Sequence, residues 1–442
     1  MTGSVFYRSP RHDYPLGVRG DGVYLYDSNG KQYLDGSGGA AVSCLGHGNA
    51  EVIEAIRQQV GKLAFAHTAF FTNEPQETLA SGLAARFGEP DARVYFASGG
   101  SEANETAIKL ARQYWMARGQ ASRSVFISRE QSYHGNTLGA LSLSGSPGRR
   151  AMYRTILQEW PRIEPCYAYR WQDDSESEVA YGERAAQTLE TAIETAGAGN
   201  VAAFIAETVS GATLGAVTAA PGYFARIREI CDRHDVLLIL DEVMCGSGRT
   251  GSYFAYEQEN VLPDIVTIAK GLGGGYQPLG ATVCRGMVHQ QIVDTYGGFE
   301  HGHTYVGHAT ACAAGVAVQS VLEKEHLLEN VVARGQQLQG QLQKAFDAHP
   351  HVGDIRGRGL FVAIELVKDK ISKEAPSAEL GLPALIKNRA MEAGLICYPG
   401  GGTADGKNGA HVLLAPPFTY TEANVDELVR KLKSVLGEFT ID

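Results

Sequence analysis

The chain predicts an α/β domain on a mostly parallel sheet, followed by a second, smaller α+β domain. Three observations carry that expectation. From about residue 75, short strand-like runs alternate with stretches of helical periodicity, the pattern of successive βαβ units. Several of those runs are apolar almost throughout, VAAFIAET at 201–208, VLLILDEV at 236–243 and DIVTIA at 264–269, as strands covered on both faces must be. Beyond about residue 325 the composition shifts to amphipathic helices and antiparallel-looking strands, and 442 residues give enough chain for two domains.

Composition narrows the function. A formal net charge of −10 and no basic patch argue against a nucleic-acid surface and for small-molecule work. Seven cysteines, an odd number without paired spacing, fit reduced thiols and a cytoplasmic protein. The first residues, MTGSVFYRSPRHDYP, hold no apolar signal core, and no later run reaches the length of a membrane span.

The elements follow in order. Residues 18–35 alternate apolar and polar around Asn29-Gly30, which predicts a hairpin. The glycine-rich stretch GSGGAAVSCLGHGN then opens a helix at Glu51, and a loop of this kind serves either a ligand or only its own positive φ angles. A strand at 93–97 runs through Ser98-Gly99-Gly100-Ser101 into a helix. Free N–H groups and the positive end of the dipole there suit an anion, while an ordinary Ser cap is the plainer reading. The strand SVFIS at 124–128 leads to Tyr133-His134-Gly135, an aromatic ring and an imidazole at the same sheet edge. Residues 148–195 read as a less regular surface excursion without a site.

Strand 201–208 ends on Glu207, a helix opens at Pro221-Gly222 and runs to about His234, and strand 236–243 ends on Asp241-Glu242. A carboxylate at that depth needs a partner, either a heteroaromatic nitrogen or an arginine such as Arg249. The run after Pro263 ends on Lys270 and meets the glycines 271–275. An amine at a buried strand end is either desolvated into a nucleophile or snorkels to water, and the stretch alone leaves both open. A strand at 278–285, a small-residue helix at 308–322, a helix at 325–348, a strand at 354–366, a helix at 379–393, the strand HVLLAPP and a helix at 421–438 complete the series.

Two motif matches are discounted. Gly246-Ser-Gly-Arg-Thr-Gly251 lacks an immediately preceding strand and a following helix, and Gly401 to Asn408 lacks the Ser or Thr of a phosphate loop. The histidines of His301-Gly-His303 have no third ligand cluster, so no metal is expected.

Taken together, SGGSEANETAIKLAR at 98–112, YHG at 133–135, LILDEV at 238–243, CGSGRTG at 245–251, Lys270 and HTYVGHATACAAG at 303–315 resemble, in order and spacing, the class III aminotransferases. The resemblance spans nearly the whole chain. It implies the PLP-dependent transferase fold type I, with a seven-stranded large-domain sheet. Its domains would be an N-terminal segment 1–60 belonging to the small domain, a large domain 61–323 and a C-terminal small domain 324–442. It implies pyridoxal 5'-phosphate (PLP) as cofactor, Lys270 and Asp241 as catalytic residues, and a homodimer with the active site at its interface. Gly100 and Ser101 would bind the phosphate, Tyr133 and Val243 pack on the two ring faces, His134 lie beside the ring and Glu207 stand near its hydroxyl. Thr304 would reach the phosphate of the neighbouring subunit.

The implied reaction moves an amino group from an amine or amino acid to a 2-oxo acid such as pyruvate or 2-oxoglutarate, by a ping-pong Schiff-base mechanism. Ala41, Phe70 and Tyr398 are the implied substrate contacts. Tyr398 stands near where similar enzymes carry an arginine, Ala41 where many amine transaminases carry a tryptophan, and the glycine-rich insertion after Tyr398 is longer than usual. A PLP-dependent aminomutase or decarboxylating relative shares most of these motifs, and a non-catalytic dimeric binding protein is the alternative from another class.

Overall fold

Seven strands build the central sheet, in the spatial order Arg93–Ala97, Gly280–Cys284, Ile265–Ile268, Leu237–Asp241, Val201–Glu207, Val125–Arg129 and Arg162–Ile163. The computed structural model describes residues 4–9, 12–437 and 440–441. Within the sheet only Gly280–Cys284 runs antiparallel to its neighbours. The apolar runs explain this burial. Phe204, Ala206, Leu238, Leu240, Val266 and Ile268 pack on one face against the helices Glu74–Phe87, Glu178–Ala196 and Tyr223–Arg233. Ala203, Ile205, Leu237, Ile239 and Ile265 alternate with them and pack on the other face against Gly100–Ala117 and Gly286–Tyr296.

Register decides what the strand ends present. Asp241 is paired with Glu207 on one side and with Thr267 on the other. By the two-residue alternation all three side chains emerge on the face covered by the helix Gly100–Ala117. Two carboxylates and a hydroxyl therefore form one row at the carboxyl edge of the sheet, where ligands of open α/β sheets bind.

The remaining chain is built around a second core. An antiparallel sheet runs Val352–Arg358, Phe361–Leu366, Ala410–Leu414, Tyr398–Gly401, and the N-terminal strands Gly17–Asp21, Tyr24–Asp27 and Gln32–Asp35 add Leu395–Ile396 to theirs. Val23, Leu34 and Val52 share this core with the helices Leu327–Phe346, Leu382–Glu392 and Glu422–Leu436.

Three expectations change. The single strand expected at 354–366 is a hairpin, because Gly359 takes a positive φ of 54° and turns the chain back. The stretch 148–195 is no loose excursion. It leads into the 19-residue helix Glu178–Ala196, which buries Tyr181, Leu189 and Ile193 in the core against the central sheet. Pro221 lies before the helix rather than in its first turn, since Gly222 caps it in the left-handed conformation.

Candidate active site

The helix Gly100–Ala117 and the strand ends meet around a cavity of about 300 Å³, at the lower end of the roughly 300–1,000 Å³ typical of small-molecule sites. Gly100, Ser101, Tyr133, His134, Glu207, Asp241, Val243 and Lys270 all line it. They arrive from the ends of five different strands, so the sheet rather than the local chain assembles the site.

At one end lies the helix N-terminus. The N-cap, Gly99, offers no side-chain acceptor, so the first-turn N–H groups have no cap of their own. Ser101 Oγ accepts from Asn136 N at 3.0 Å, which leaves its own proton to be donated into the cavity. A Cβ on Gly100 would stand 2.6 Å from Val243 Cγ1, so only glycine lets the helix start this close to the wall. The geometry suits an anion.

At the other end Asp241 is 3% exposed and held by three contacts, which leave its carboxylate room for one more donor. Its Oδ2 accepts from Asn104 Nδ2 at 2.8 Å and meets His134 Nδ1 at 2.8 Å, and its Oδ1 accepts from Val243 N at 3.0 Å. Arg249 is not its partner. Its Nη1 donates to the carbonyls of Leu360 and Pro416, and the guanidinium stacks on Phe418. Glu207 accepts from Tyr133 N at 3.1 Å and Gly211 N at 2.8 Å. Burial pushes the Glu207 carboxyl upward, with His134 opposing and the Asp241 charge adding to it. His134 Nε2 is buried without a partner, an unsatisfied donor or acceptor beside the cavity.

Lys270 closes the site. It has a positive φ of 47°, strained for a residue with a side chain. Burial brings its amine down to about pH 8, against the pull of Asp241 and Glu207. A substantial neutral fraction is thus available near neutral pH, the condition for a nucleophilic lysine. An anion cradle, a buried carboxylate and a reactive amine on one cavity suit a planar ligand carrying a phosphate, a basic ring nitrogen and a carbonyl group.

The remaining expected residues lie elsewhere in the chain. Thr304 lines a separate cleft with His67, Gln76, Tyr95, His301 and His303. Ala41 is buried among Val209, Met244 and Phe361, and its neighbour Val42 takes the place on the cavity wall. Tyr398 packs on that same cluster, and Phe70 is 80% exposed. The near phosphate loop is a turn in which Asp405 Oδ1 accepts from Lys407 N and Asn408 N, and no helix follows it.

Asn104 is the residue that the sequence reading missed. It is fully buried, donates to both Asp241 and the His134 carbonyl, and accepts from Thr267 Oγ1 at 2.8 Å. Its spacing with Ala107, Ala111 and Tyr114 puts it on the inward stripe of the helix, and a polar residue on that stripe was the available signal.

Residues 8–436 match the family model described as Aminotransferase class-III. An uncharacterised aminotransferase of Schizosaccharomyces pombe is 46% identical over 98% of this chain and 94% of its own length. A taurine–pyruvate aminotransferase of Bilophila wadsworthia is 36% identical over 93% of this chain and 90% of its own. Among solved structures, the omega transaminase of Pseudomonas jessenii in complex with PMP superposes with a TM-score of 0.91 at 33% identity, covering 98% of this chain and 96% of that one.

Proposed function

The chain belongs to the class III aminotransferases and is an enzyme that transfers an amino group, and on that premise we propose that the cavity at Lys270 is its PLP site. The observation that carries this reading is the placement of Lys270, Asp241 and the N-terminus of Gly100–Ala117 around one cavity. The residues present fit the group. The uncapped helix start and the free Ser101 proton match a phosphate, Asp241 matches a protonated ring nitrogen, and the unpartnered His134 Nε2 and the Glu207 carboxyl offer polar company at the ring's edge. Tyr133 and Val243 supply apolar walls.

When bound, PLP supplies an aldehyde for amines and a cationic ring that withdraws electrons from the amine-bearing carbon. The chain's own residues do the rest. Asp241, held by three donors, keeps its charge turned toward the ring position. Lys270 would hold the group by its aldehyde, where a substrate amine would displace it. Its freed Nζ then removes the proton from the donor's amine-bearing carbon and later returns one to the acceptor. Donor and acceptor use the site in turn, in ping-pong fashion.

We further propose pyruvate or 2-oxoglutarate as acceptor; the name of the taurine–pyruvate relative supports pyruvate. Thr304 faces its own cleft rather than this cavity, which supports its serving the other subunit of a homodimer. The domain division 1–60 with 324–442 against 61–323 is supported by the core that Val23, Leu34 and Val52 share with the C-terminal helices. Seven free cysteines, all buried, support a cytoplasmic setting, and among the described residues no helix is long and apolar enough to cross a membrane.

The test is loading with PLP followed by a donor screen against both acceptors. We expect a visible absorbance band in the wild type that Lys270→Ala loses, together with at least about a thousandfold of activity. A wild type that takes up no PLP, or a Lys270→Ala variant of unchanged activity, overturns the reading.

A further inference from the structure

The cavity wall contains one cation, Lys270, and two carboxylates, Glu207 and Asp241. Lys270 is the reacting group and, on the PLP-site reading, the helix start at Gly100 and Ser101 is taken by the phosphate, so that wall leaves no lysine or arginine for a substrate carboxylate. Just outside it stands Arg149, on the short helix Pro147–Arg150 in the stretch to which the sequence reading gave no site. Its guanidinium carbon lies over the Tyr133 ring, 4.3 Å from the centroid, while Tyr133 itself lines the cavity.

The two neighbouring arginines are used differently. Arg150 is buried, and its donors go to the carbonyls of Leu141, Ser142 and Ser144 and to Glu159. Arg149 is exposed and, among the described residues, pairs with no carboxylate. A guanidinium that rests on an aromatic face spends none of its N–H groups, which lie in its plane and keep the fork that matches a carboxylate. Its charge is felt in the site. Burial is the main reason that the Lys270 amine falls to about 8, and Arg149 adds to it.

The glycine-rich insertion packs beside the short helix that bears this cation. Gln131 Nε2 donates to the carbonyls of Gly402 and Thr403, tying the glycine-rich insertion to the loop that carries Tyr133. A Cβ on Gly406 would come within 3.1 Å of Pro147, so the tip of the insertion rests on the helix that bears Arg149.

We propose that Arg149 is a specificity-determining residue that receives the carboxylate of the amino-acid donor and of the 2-oxo acid acceptor at the mouth of the cavity. This rests on the PLP-site reading above. Tyr133 is then a platform for the guanidinium as well as a cavity wall, and the insertion helps to set how far the guanidinium can swing.

The test uses the PLP-loaded enzyme and the variants Arg149→Gln and Arg149→Lys. Alanine is compared with isopropylamine as donor, and pyruvate with acetone as acceptor, each pair differing by a methyl group in place of the carboxylate. We expect the ratio of kcat/KM for the carboxylate substrate over its neutral counterpart to fall about 10- to 100-fold in Arg149→Gln, mainly through KM, with partial recovery in Arg149→Lys. The Kd of propionate, an unreactive carboxylate, is expected to rise by a similar factor in calorimetry. An active Arg149→Gln enzyme with the wild-type ratio and wild-type propionate affinity overturns this inference alone, leaving Arg149 a surface cation stacked on a tyrosine. A wild type that takes up no PLP overturns the reading beneath it and this inference with it.

Discussion

Asn104 Nδ2 lies 2.8 Å from Asp241 Oδ2, so a side chain in the second turn of a helix fixes a carboxylate at the end of the fourth strand of the sheet. Neither group is free to turn, because Asn104 also holds the Thr267 hydroxyl and the His134 carbonyl. The helix that offers its N-terminus to an anion is thereby locked in register with the row of polar residues at the sheet edge.

Asn104→Ala removes that lock. Thr267 loses its acceptor, His134 O and Asp241 each lose a donor, and all three groups stay buried. We expect a loss of about 1–3 kcal/mol, the cost of leaving buried polar groups unsatisfied. Denaturant unfolding of the wild type and variant measures it, and equal stabilities would refute the bridging role.

Asp241→Asn keeps the shape and removes the charge. PLP should stay bound, while the half-reaction with an amino donor slows by about 10²–10³, the scale of losing a preorganised electrostatic partner. Stopped-flow single-turnover rates decide the matter, and a rate within a factor of two of wild type would count against the role.

Gly100→Ala places a methyl group 2.6 Å from Val243 Cγ1, a branch that cannot rotate away freely. The helix start must shift, and the anion cradle with it. A fall of about tenfold in PLP affinity is expected in equilibrium titration of the unloaded protein, and an unchanged affinity would show that the cradle tolerates the shift.

The pH dependence follows from Lys270. Its amine titrates near 8 in the folded chain against the ordinary 10.5. Capture of PLP by the unloaded protein requires the neutral amine, so its rate should rise ~tenfold per unit up to about pH 8 and level off above it. The folded state holds its proton less tightly than the unfolded one. The charged amine therefore costs stability in full below about pH 8, and that cost is relieved between about 8 and about 10.5. A capture rate still climbing steeply at pH 10 would place the amine in ordinary solvent.

Much of the site was legible because each junction leaves its own trace. Lys270 stood out as a charge ending a buried run, Asp241 as an acid at the end of an apolar strand, and Gly99-Gly100-Ser101 as a turn entering a helix. Arg249 shows the limit of that reading. Only eight residues from Asp241 in sequence, it reaches instead the carbonyls of Leu360 and Pro416, more than a hundred residues away. Arg149 shows it too, since nothing in an exposed arginine of an irregular stretch tells which ring it will rest on.

By itself the sequence determined the alternation of strands and helices, the apolar runs that must be buried, and the residue types at each strand end. These follow from local periodicity and from the cost of burying charge. Tertiary structure alone decided that Glu207, Asp241 and Thr267 share one row and one face, that Asn104 meets Asp241, and that Arg149 stands over Tyr133. Pairing register and helix docking fix those relationships. Both are set by contacts between residues far apart in the chain, which no local pattern records.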